Sequence, residues 1–135
     1  MALVQSLKNR AYVIEKIVDL PATAGTTVGP AVGAGTLVLA VGFVPSEAVP
    51  NVDTYTMDIT DGTTVFANDL NFDNTAAGTI KIGTTAGVVA AADTIDVVTT
   101  ITGSPGVITG RIFAVVVDVN QSAAVADAVD RDQLA

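Results

Sequence analysis

A chain of 135 residues, half of them in the apolar set, is long enough to bury one core without disulfide or metal staples. Cysteine and histidine are both absent, which excludes thiol nucleophiles, thiolate metal sites, imidazole general bases and every Ser-His-Asp triad. Fourteen acidic against six basic residues give a formal charge of −8, the wrong sign for a protein that tracks a phosphate backbone, so nucleic acid is not an expected partner.

The first nine residues (MALVQSLKN) place Leu3, Val4 and Leu7 at helical spacing, but a single turn is marginal alone, and 1–9 reads as an arm. It has no apolar h-region of a secretory signal. Three of the six basic residues, Lys8, Arg10 and Lys16, fall in the first sixteen positions. Lys8 and Arg10 are therefore candidate contacts to an acidic partner, the plainer alternative being a solvated basic arm. Residues 10–20 alternate Tyr12, Ile14, Lys16, Val18 against Val13, Glu15, Ile17, Asp19, a strand pattern ended by Pro21, with a helix as the competing reading.

Residues 22–35 (ATAGTTVGPAVGAG) bring few bulky side chains and read as a loop or a thin edge strand. They contain no phosphate-cradling G-x-G-x-x-G or G-K-[ST]. Residues 37–44 (LVLAVGFV) form the longest apolar run, far short of the ~20 residues of a membrane helix, and read as a buried strand stopped by Pro45. No membrane partner is expected. Over 52–60, Tyr55, Met57 and Ile59 point inward and Thr54, Thr56, Asp58 and Thr60 outward; Asp61-Gly62 then signals a hairpin with 63–66 as the return.

In 68–74 (NDLNFDN), Asp69, Asn71 and Asp73 have the spacing with which a calcium loop opens. The match fails at the sixth position, Asn74, and the twelfth, Ile80, so the segment reads as a surface loop and no metal is expected. Weak strands are expected over 78–83 and 84–92. The clearest local signal is 93–120, two Val/Ile/Thr-rich runs around Gly103-Ser104-Pro105-Gly106, read as one long β-hairpin. Its first arm alternates, whereas its second is apolar on both sides, with Phe113, Val115, Val117 and Val119 on one and Ile112, Ala114 and Val116 on the other. A strand apolar on both sides is expected to be covered on both. Arg111, Phe113, Val115 and Val117 are accordingly candidate contacts to another subunit or to a larger assembly, the alternative being cover from the same chain. In 121–135, Ser122 and the Ala/Val positions after it fit a short helix or a tail.

Seven to nine short strands with Gly, Pro, Asp or Asn punctuation predict an all-β protein, an antiparallel β-sandwich or jelly-roll-like single domain over 10–120, with extended terminal arms at 1–9 and 121–135. No cofactor is implied. The nearest carboxylate pairs, Asp58 with Asp61 and Asp93 with Asp96, sit at strand ends and turns, where a surface role comes first, so no catalytic residue is assigned and no enzyme is expected. Six scattered aromatic residues give little support to a sugar-stacking surface.

The run TYTMDITDGTTVFANDLNFDN followed by AADTIDVVTTITGSPGVITGRIFAVVVDV resembles small virion structural proteins of tailed bacteriophages, of the kind that decorate or cement the capsid. The elements are a D-G-T turn at Asp61-Gly62-Thr63, an Ala-Asp opening at Ala92-Asp93-Thr94, the 103–106 turn and a Val-rich closing strand, together covering about 36–119. The resemblance implies a β-sandwich on the virion surface that bridges subunits of the major capsid protein as a homo-oligomer, a trimer being favoured. A receptor- or glycan-binding module, head-fibre or tail-associated, is the alternative.

Overall fold

A computed structural model describes residues 11–119; the expected arms at 1–9 and 121–135, with Lys8 and Arg10, lie outside the described residues. The described residues form eleven strands: β1 (Ala11–Leu20), β2 (Gly25–Thr27), β3 (Ala31–Val32), β4 (Thr36–Pro45), β5 (Thr54–Thr60), β6 (Val65–Asn71), β7 (Lys81–Gly83), β8 (Gly87–Val88), β9 (Asp93–Thr94), β10 (Asp96–Thr102) and β11 (Ile108–Asp118). Described residues include no helix. Every strand pairing is antiparallel. A five-stranded sheet runs β1-β11-β4-β7, with β8 also on β4; a four-stranded sheet runs β2-β10-β5-β6; β3 and β9 make a small third pair. The fold is the expected all-β antiparallel sandwich.

The two large sheets share one core. From the five-stranded sheet come Val18, Leu20, Val38, Val41, Phe43, Ile112, Ala114 and Val116, and from the other Tyr55, Met57, Ile59, Phe66 and Val97, all buried. Period-2 alternation places them: in β5 the predicted inward trio is buried and the Thr/Asp positions between are half-exposed. Glycines admit the largest rings. Gly110 lies where any Cβ would meet the Phe43 ring, and Phe43 packs edge-on to Phe72 with centroids 5.5 Å apart.

The Asp61-Gly62 hairpin forms as expected between β5 and β6. Gly62 takes φ 91°, and the Asp61 carboxylate accepts bonds from the Thr63 and Thr64 amides at 2.9 and 2.6 Å. Two other expectations are corrected. The 93–120 segment is not a hairpin: β10 pairs with β2 and β5, β11 pairs with β1 and β4, and the 103–107 turn carries the chain from one sheet to the other. A Gly/Pro turn between two β-prone runs serves either geometry, and here both strands have each edge occupied by other partners. Residues 68–71 are not loop but the second half of β6, with a pairing irregularity opposite Asp58 where Asp69 takes φ 53°. Phe72, directly after, is fully buried and its amide bonds the Tyr55 carbonyl at 2.8 Å.

Candidate functional site: the outer face of the five-stranded sheet

Side chains directly opposite one another on paired strands share a face, so the registers assemble this surface row by row. Ile17, Arg111 and Val44 form one row; Glu15, Phe113, Gly42 and Ile82 the next; then Val13, Val115 and Ala40; then Ala11, Val117, Leu37 and Val88. An irregularity between Val115 and Val116 leaves Leu39 as an extra, exposed residue on β4. Val13, Ile17, Ile82 and Val88 are each more than half exposed. Phe113, Val115 and Val117 are half-buried, shielded by their neighbours but with no layer of described residues above them.

The face has a polar and an apolar end. At the polar end Arg111 pairs with Glu15 across the β1–β11 ladder at 3.6 Å, both half-exposed, a contact worth little in water. Nearby, the Thr109 hydroxyl donates to the Asp19 carboxylate at 2.7 Å and the Thr109 amide to Glu47 at 3.1 Å. A depression of about 480 Å³ opens there between Ile17, Val44, Pro45, Ala77 and Arg111. The rows from Val13 to Val88 carry no ionisable group, and since Ala11 pairs with Val117 they lie where β1 begins and β11 ends. In the middle, Phe113 lies over Gly42, where a Cβ would strike its ring and come within 2.8 Å of the Lys81 carbonyl.

Of the expected contact residues, the structure brings Arg111, Phe113, Val115 and Val117 onto this one face. It adds the neighbours Val13, Ile17, Leu37, Leu39, Ile82 and Val88, which no single-strand pattern marks as belonging together. In β1 the alternation read from the sequence does supply half the signal, because Val13 and Ile17 share a face with Glu15 and Asp19.

Several acidic residues among those described are engaged in local structure. Asp58 accepts from the Asp69 amide at 2.7 Å, Asp73 from the Val52 amide at 2.7 Å, and Asp96 from the Thr94 hydroxyl at 2.6 Å and the Gly29 amide at 3.3 Å. The Asp93 carboxylate accepts from the Thr94 amide at 2.8 Å. Asn71 accepts from the Asp73 amide at 2.9 Å. Among the described residues no three acidic, cysteine or histidine side chains are grouped to hold a metal ion. Phe43, Tyr55, Phe66 and Phe72 are fully buried, leaving Tyr12 as the ring nearly half-exposed.

The molecule is thus a two-sheet antiparallel sandwich that presents a broad apolar sheet face. No family model matches the sequence, and no curated protein matches it. A chain in the solved structure of the infectious bursal disease virus Gx strain is similar at 16% sequence identity and a TM-score of 0.44, over 84% of this chain and 34% of that one. The protein thus spans about a third of that chain's length.

Proposed function

We propose that the protein is a non-enzymatic structural component of a virus particle, a decoration or cement protein that stabilises a bacteriophage head by bridging subunits of the major capsid protein. The observation that carries this reading is the outer face of the five-stranded sheet. An all-β sandwich needs only its inner faces apolar to fold, and a second apolar face extending across β1, β11, β4, β7 and β8 belongs to a chain that works in an assembly. Two sequence elements of the resemblance fall on regular parts of the fold: the D-G-T turn closes β5 to β6, and the Val-rich strand is β11, inside the five-stranded sheet. Attachment in many copies lets individually weak contacts hold firmly, and no deep polar cleft is needed for it. The basic positions Lys8 and Arg10 are the proposed contacts to the shell.

The test is made on particles. Purified virions that encode the chain are expected to contain it in a fixed ratio to the shell protein, with density on the outer capsid surface by cryo-imaging. Particles stripped of it are expected to rupture at lower temperature and to recover when the protein is added back. Its absence from purified virions would sink the proposal.

A further inference from the structure

We infer that the outer face of the five-stranded sheet is a self-association surface whose occupant is a second copy of this chain, related by a two-fold axis. The inference stands on the face itself, whether or not the assembly is a virion. Three strands of about ten residues, β1, β11 and β4, at ~4.8 Å spacing and ~3.3 Å rise, with the short β7 and β8 along one edge, make a patch of about 550 Å². That approaches the ~800 Å² per partner of a standard stable interface.

Charge selects the partner. The chain carries −8, so two copies repel wherever their acidic surfaces meet. The strands of the four-stranded sheet contain Asp58, Asp69 and Asp96 and no lysine or arginine. The face of the five-stranded sheet instead holds one cation, Arg111, with Glu15 and Asp19 at its polar end, and is uncharged from Val13 onward. A second copy laid face to face can exchange these ions, Arg111 meeting the partner's Glu15, while the apolar rows cover each other. A face that complements itself closes with two-fold symmetry. The trimer implied by the resemblance would require this face to meet a different surface of the next copy, and the other large sheet surface is acidic. Pairing through the free edge of β1 is the weaker alternative, because Lys16 stands mid-strand with its ammonium bonded to the Val28 carbonyl at 3.3 Å, and a charge within an edge strand discourages further pairing.

The experiment is sedimentation equilibrium of the full chain over a concentration series from micromolar to several hundred micromolar. The apparent mass is expected to rise from 13.6 kDa towards twice that value. Val115→Asp and Val13→Asp, with folding checked by circular dichroism and melting, are expected to weaken association at least about tenfold, because each buries an unpaired carboxylate. Val65→Asp, at an exposed position on β6 of the other sheet, is expected to leave it unchanged. The chain has no cysteine, so Val115→Cys provides a single reporter that is expected to form disulfide-linked dimers on mild oxidation where Val65→Cys does not. A wild-type chain that keeps a single-chain mass throughout, a species of three chains, or a Val115→Asp variant that associates as tightly as wild type would each overturn the inference.

Discussion

Both large sheets turn an apolar face inward, but their outer faces use different side chains. Outward positions of β5 are Thr54, Thr56, Asp58 and Thr60, and those of β10 are Asp96, Val98, Thr100 and Thr102, mostly polar. The matching positions of β11 and β1 are Phe113, Val115, Val117, Val13 and Ile17, with Leu37 and Leu39 on β4. Threonine and valine satisfy the pleated backbone about equally well, so strand formation explains neither choice. What separates them is solvent: threonine leaves a hydroxyl for water, whereas the valines of β11 gain only if something outside the described fold covers them. The difference sets a hydroxyl-rich outer wall against an apolar one, the wall proposed above to assemble.

The comparison is tested most severely inside one strand. Val116→Asp places a carboxylate in the core from a fully buried site and is expected to cost more than about 4 kcal/mol, abolishing cooperative unfolding. Val115→Asp, one residue away on the outer face, is expected to cost the isolated chain about 1 kcal/mol or less by urea denaturation. Equal losses would show that residues of the same chain cover the outer face. Next in size is Gly42→Ala. It lies on the outer face, yet the new methyl would meet the Phe113 ring and the Lys81 carbonyl, so a loss of roughly 1–3 kcal/mol is expected in the same assay. A neutral result would mean that Phe113 is free to swing away and that this face is not preorganised.

A smaller effect is expected at the hairpin of the water-facing sheet. Asp61→Ala removes the acceptor of the Thr63 and Thr64 amides and is expected to cost about 1–2 kcal/mol, with no change in association state by sedimentation. The smallest concerns the shared core. The Tyr55 hydroxyl is buried without a hydrogen-bond partner, and burial pushes its pKa from 10.0 up to about 12. Folding therefore favours the neutral phenol, so this contribution is fully present below pH 10 and is lost as pH rises from 10 towards about 12. Tyr55→Phe is expected to change stability at pH 7 by no more than about 0.5 kcal/mol, and to remove that alkaline loss from a pH series of unfolding midpoints.

The amino-acid sequence by itself determined the chemistry that is impossible here, with no thiol or imidazole to use, and most of the strands, because side-chain alternation and turn residues are local properties of a pleated chain. Tyr55, Met57 and Ile59 point inward as their spacing requires, the Asp61-Gly62 turn closes β5 on β6, and Pro45 ends β4. Partner choice was not local. The turn at 103–106 looks the same whether it closes a hairpin or crosses between sheets, and only the occupied edges of β10 and β11 decided for the crossing. Asn68, Asp69 and Asn71 carry turn-forming side chains, yet the fully buried Phe72 behind them and the pairing with β5 hold them in a strand. The apolar outer face is the same case at larger scale: β11 announced its two apolar sides, but Val13, Leu39, Ile82 and Val88 become one surface with it only when strands distant in sequence are laid edge to edge, since pairing energy is summed over the whole sheet and not over any one strand.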